Sequence, residues 1–229
     1  MPKLSKSLTN LATPIAKALT PAYVSGFIRS ALDRAIDGVG PLRGAATTAD
    51  RELVLAGGDR DEAIKAVISS HVRLAGAQGF LTSLGGIITT AATIPANIAG
   101  LALVECHMVA AIAHLRGYNL ADNRTRNAVL ACMVGEEGLK HLIKQGKLTA
   151  GPRSLAEADV PDPDTDDAIA RIVAAELIAQ VGGKRVVTAV GRRIPLLGGA
   201  VGMTADAFRT WRIGRFAANV LSPRKIRRA

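Results

Sequence analysis

Aromatic residues are scarce in this chain of 229 residues: one Trp, two Tyr and four Phe. That leaves little material for a platform on which nucleic-acid bases stack, and no recognisable nucleic-acid module is present. The two cysteines, Cys106 and Cys132, fall in apolar helical patterns and in no metal-ligand spacing. They are expected to be reduced, buried thiols of a cytoplasmic protein. No secretory signal is expected: Lys3, Lys6 and Lys17 punctuate the N-terminal stretch, and Pro14 and Pro21 break its apolar run. The phosphate loop G-x-x-x-x-G-K-S/T is missing. So are the paired Glu-x-x-His motifs with which helical bundles hold metal.

The absence with the largest consequence is one of charge. From Leu74 to Val104, 31 residues pass without Asp, Glu, Lys, Arg or His, in a chain that is 21% charged. A segment of this kind lies either in a protein core or in lipid. Leu84 to Val104 is 21 residues, long enough to cross a bilayer as one helix. Against a span stand Gly85, Gly86, Thr89, Thr90, Thr93, Pro95 and Asn97 within it, and the lack of an aromatic belt, with only Phe80 and Tyr118 nearby. A buried helical hairpin is therefore the preferred expectation, with a spanning or conditionally inserting hairpin as alternatives.

Apolar residues make up 48% of the chain, mostly Ala, Val, Ile and Leu, with 23 Gly. That mix suits close-packed helices. Positive charge is placed unevenly. Residues 1–168 hold 17 basic and 17 acidic side chains, whereas residues 169–229 hold 12 basic and 2 acidic ones, so the whole net charge of +10 belongs to the last quarter. Such an end fits an acidic partner.

Helical spacing organises nearly everything. A helix is expected over Tyr23–Asp37, with Val24, Phe27, Ile28, Leu32, Ala35 and Ile36 on one stripe, and a short one over Ala49–Ala56. Asp59 is a good N-cap for the next, which carries Ile64, Val67, Ile68, His71, Val72 and Ala75 and loosens at Gly76 and Gly79. A short helix between Gly85-Gly86 and Pro95 and a longer one from Pro95 to Arg116 follow, with Pro95 in the first turn. One helix is expected from Asp122 to about Gln145, a Pro, Gly and Asp-rich loop over 146–163, a helix opened by Asp164, Asp166 and Asp167, and a last one from about Pro195 to Leu221.

The segment GFLTSLGGIITTAATIPANIAGLALVECHMVAAIAHLRGYNLADNRTR, residues 79–126, looks like the core of the EcsC family. It combines a Gly-Gly apolar turn, an Ile-Pro-Ala-Asn helix start, an Ala-Ala-Ile-Ala helix and a Gly-Tyr-Asn-Leu turn. Ile194-Pro195 through Gly198-Gly199 to Gly202 resembles the family's C-terminal Pro-x-x-Gly segment, and the resemblance runs from about Asp59 to Asn219. It implies an all-helical fold. It brings no catalytic residue set, and Glu105-Cys106-His107 stand where the family often has a basic or amide side chain.

The expectation is an all-α single domain of about seven helices around a central apolar, Gly-rich hairpin over 79–116. Residues 1–48 would be an N-terminal extension with one helix, 49–221 the helical domain and 222–229 a basic disordered tail. The first functional expectation is a non-catalytic protein peripheral to the inner, cytoplasmic face of the cell membrane, linked to transport or secretion. Arg209, Trp211, Arg212, Arg215, Arg224, Lys225, Arg227 and Arg228 would meet anionic lipid. The hairpin is carried by Leu84, Gly85, Gly86, Ile87, Ile88, Ile94, Pro95 and Glu105. A membrane protein is an alternative partner, and the all-round apolar helix allows a homo-oligomer. The competing expectation is a soluble helical enzyme or small-molecule or lipid-binding protein with an apolar pocket near Gly85, Gly86 and Glu105. No catalytic residue, metal or cofactor is assigned. His71, Glu105, His107, His114, Glu136, Glu137 and His141 lie on helices without ligand spacing. Glu136 with Lys140 and Glu137 with His141 read as surface ion pairs. Glu105 is expected to find a basic neighbour such as Arg73, or solvent.

Overall fold

Gly44 shows how tightly the N-terminal elements close on one another: a Cβ there would lie 2.5 Å from the Ile36 carbonyl oxygen. The computed structural model describes residues 21–84, 90–158, 167–176 and 205–223. Helix α1 (Pro21–Asp37) buries Ile28, Ala31, Leu32 and Ala35, one stripe at helical spacing. A two-residue hairpin follows, β1 (Gly38–Val39) and β2 (Leu42–Arg43), antiparallel with Val39 opposite Leu42. Gly38 and Gly40 take positive φ here, a conformation that costs other residues about 1 kcal/mol or more.

Helix α2 (Ala45–Leu55) starts four residues earlier than the spacing of its apolar residues predicts. Asp59 caps α3 (Arg60–Leu84) as expected: its Oδ1 accepts from the amides of Asp61 at 2.9 Å and Glu62 at 3.1 Å. The helix runs on through Gly76 and Gly79 rather than ending there. Helix α4 (Thr90–Leu115) runs unbroken through Pro95, which is its sixth residue and not in its first turn, so residues 90–94 of the expected short helix and the longer helix are one element. Every residue from Val104 to Ala113 in α4 is buried. A helix covered on all sides over three turns is the centre of a core, and α1, α2, α3 and two later helices pack around it.

Beyond the Gly117 turn, Asp122 caps α5 (Asn123–Met133), accepting from the Arg124 amide at 2.9 Å. The single helix expected to about Gln145 is instead two. Gly135 has φ +77, so the chain turns after Val134 and restarts as α6 (Gly135–Lys144). A five-residue helix, α7 (Pro152–Ala156), interrupts the expected loop, with Pro152 in its first turn. Residues 167–176 form α8, which buries Ile169, Ala170, Val173 and Ala174 and is tied to α1 by the ion pair between Arg29 and Asp167 at 2.8 Å. The last helix, α9 (Ala205–Val220), lies against α3 and α4. Its Gly214 allows the close approach: a Cβ would meet Ile68 Cγ1 at 2.9 Å and Met108 Sδ at 3.0 Å.

The fold is all-α apart from the small hairpin, as expected, with nine helices among the described residues. Helix α1 shares the core of α4. Gly85, Gly86, Ile87 and Ile88, the tail residues Arg224, Lys225, Arg227 and Arg228, the entry at Pro195 and most of the acidic loop lie outside the described residues. Leu84 ends α3, and Ile94 and Pro95 are in α4. Among the described residues, no helix is long and apolar enough to cross a membrane.

Candidate functional site

Helix α9 sorts its side chains in an unusual way. Inward go Ala207, Thr210, Ile213, Gly214 and Ala217. Outward go Phe208, Trp211, Arg212, Arg215 and Asn219, spaced so that they form one stripe along the helix. Phe208 is 50% and Trp211 40% exposed, which is costly for large apolar rings unless something covers them. Their rings stack with centroids 6.0 Å apart, and the Arg215 guanidinium stands 5.7 Å from the Trp211 ring. Aromatic rings and cations thus share one surface.

That surface forms one wall of an open groove of about 660 Å³, the other wall being Val134, Gly135, Glu136, Glu137 and Gly138 at the start of α6. Glu136 is held by Lys140 at 2.8 Å, an exposed pair that keeps its carboxyl below the usual range. Arg212 and Arg215 have no carboxylate at ion-pair distance among the described residues. Their charge is available to a partner.

Arg209 departs from the expectation that placed it with the lipid-facing cations. It turns inward, 2.9 Å from Glu105 Oε2 and 3.1 Å from Oε1, and also donates to the Met133 carbonyl at 3.2 Å. Glu105 is fully buried and takes a further hydrogen bond from the Thr210 hydroxyl at 3.3 Å. The expected partner, Arg73, is exposed on α3. This cluster pins α9 to α4 and α5, and so fixes which face of α9 looks outward.

A second buried polar cluster was not legible as a unit. His71 on α3 and His107 on α4 stack with centroids 5.0 Å apart, and His71 Nε2 lies 2.7 Å from His107 Nδ1. The outer nitrogens face carbonyls: His71 Nδ1 that of Val67 at 2.7 Å, His107 Nε2 that of Arg43 at 2.8 Å. Burial lowers both imidazoles, that of His71 to about 4. The two residues are 36 apart in sequence, and neither stands in a motif that would pair them. Cys106 and Cys132 are free and buried, as expected, and burial pushes both thiols up. Among the described residues no group of three or more His, Cys, Asp or Glu is placed to hold a metal ion. The Glu136–Lys140 surface pair is present, whereas His141 bonds Gln145 rather than Glu137, at 2.7 Å.

No curated protein and no solved structure matches the chain. The model of the EcsC protein family matches residues 2–226, which takes in both the N-terminal stretch and most of the basic tail. With nearly its whole length matched, this chain belongs to the EcsC protein family.

Proposed function

We propose that this protein binds anionic lipid surfaces from the side, through the outer stripe of α9 and the basic tail that follows it. The observation that carries the reading is the stripe itself, with Phe208 and Trp211 exposed beside Arg212 and Arg215, which meet no carboxylate at ion-pair distance among the described residues. Amphipathic rings suit the boundary between headgroups and acyl chains, and arginines suit the phosphates just above it. Arg224, Lys225, Arg227 and Arg228 extend the same charge. A cytoplasmic leaflet, with its negative surface potential, is the surface this distribution fits. The role is one of attachment without catalysis, at the inner face of the cell membrane.

Trp211 is the only tryptophan, so its fluorescence reports on this stripe alone. Vesicles containing phosphatidylserine should shift its emission to shorter wavelength, and vesicles of phosphatidylcholine alone should not. Replacing Arg212 and Arg215 together with Gln should weaken binding by about 2 kcal/mol, about thirtyfold. Emission unchanged by anionic vesicles at low salt refutes the proposal. Binding to native membranes but to no lipid vesicle transfers the stripe to a membrane-protein partner.

A further inference from the structure

The His71–His107 pair sits in a line of three short contacts: Val67 O to His71 Nδ1, His71 Nε2 to His107 Nδ1, and His107 Nε2 to Arg43 O. Each is attractive only with a hydrogen between its heavy atoms. Three contacts therefore need three N–H groups. Two neutral imidazoles carry two, and a pair holding one extra proton carries three. The neutral pair must leave one of the three contacts without a hydrogen. Leaving the middle one bare would set two nitrogen lone pairs against each other at 2.7 Å. The vacancy therefore falls at an end, with a bare nitrogen facing a carbonyl oxygen. We propose that His71 and His107 form a one-proton acid sensor: uptake of a single shared proton joins α3, α4 and the β-hairpin in an unbroken hydrogen-bonded line, and its loss frees the hairpin end.

The hairpin end is the one that opens, for two reasons. Val67 is fully buried, so its carbonyl has no water to turn to, whereas Arg43 is exposed and its carbonyl can be hydrated. In addition, the Thr48 hydroxyl on α2 lies 3.4 Å from His107 Nε2, placed to donate to that nitrogen once it is bare. At the other end the Ser70 hydroxyl stands 3.3 Å from His71 Nδ1, but its hydrogen is given to Val67 O at 2.9 Å and does not serve that nitrogen. Charged groups on the surrounding elements are engaged elsewhere. Asp33 on α1 pairs with Arg126, Asp50 on α2 with His114, and Arg209 on α9 with Glu105, two residues before His107 and so on the opposite face of α4. Among the described residues no carboxylate contacts either ring, so no described group drives a second proton on. Burial, with the charge of His107 adding to it, holds His71 down to about 4.

Histidine-specific ¹⁵N labelling of the full chain tests this, with His114→Gln and His141→Gln identifying the other two histidines. The pair should gain one N–H in a single step below the ordinary imidazole range, because burial lowers both rings, and the second only at still lower pH. Amide exchange across Gly38–Arg43 should slow several-fold over the first step, after correction for the intrinsic pH effect. In His71→Phe the remaining imidazole can carry its proton on Nε2 without acid, so hairpin protection should be high and flat with pH. Two protons taken up in one step, two rings that stay neutral until acid unfolds the chain, or hairpin protection that ignores the first step overturns the proposal. Should His71→Phe fail to fold, the wild-type titration and exchange decide alone.

Discussion

Glu105 keeps a carboxylate with no solvent exposure in the middle of the most apolar of the described helices, and Arg209 is what makes that tolerable. Removing one partner of a buried ion pair leaves an uncompensated charge, whereas replacing both with apolar side chains of similar size is often close to neutral. Arg209→Ala should therefore lower unfolding free energy by about 3–5 kcal/mol, and Glu105→Leu with Arg209→Met should recover most of that. Urea denaturation with unchanged slope reads both. A double variant as unstable as Arg209→Ala would show that the loss is one of packing. The sequence marks Glu105 as anomalous through its surroundings alone. Its partner, 104 residues further on, has the same appearance in sequence as Arg212 and Arg215, because an arginine that turns in and one that turns out differ only in helix phase.

Helix phase was in fact readable for most elements. The stripes of α1 and α3 are the buried ones, and the Asp59 and Asp122 caps are where their side chains place them. What failed were starts and breaks governed by single glycines and prolines. Gly76 and Gly79 do not stop α3, yet Gly135 divides a stretch with good apolar periodicity. The difference lies in φ: Gly135 is at +77, where the chain re-aims α6 so that its first turn walls the groove opposite α9. No atom lies within 4 Å of a Cβ built there, so Gly135→Ala meets backbone strain alone. The cost should be about 1–2 kcal/mol in thermal or urea unfolding. Gly138→Ala, within α6 and off that turn, serves as the control for helix propensity. If Gly135→Ala is neutral, the break belongs to Val134 and its packing.

At the scale of the whole molecule the charge map and the core map are separable. The central helix is buried from Val104 to Ala113 and its neighbours close around it, so the core is built by the segment that follows the uncharged run, and of the run itself Ala75, Ala102 and Val104 are buried in protein. The excess charge lies elsewhere, in residues 169–229. Under the proposed lipid reading, attachment rests on electrostatics with only a shallow aromatic contribution. Screening then becomes the decisive variable: the Debye length is about 10 Å at 0.1 M salt and about 3 Å at 1 M. Sedimentation with anionic vesicles should show binding at 0.1 M salt that falls steeply by 0.5 M, about where exposed charges cease to act over a headgroup layer. A chain ending at Pro223 loses Arg224, Lys225, Arg227 and Arg228 and should start weaker and respond less steeply to salt. Truncation that lowers affinity without flattening the salt response would mean that the arginines of α9, rather than the tail, carry the electrostatic attraction. Binding that survives 1 M salt would require apolar insertion well beyond Phe208 and Trp211, and would return attention to the uncharged run ahead of Val104.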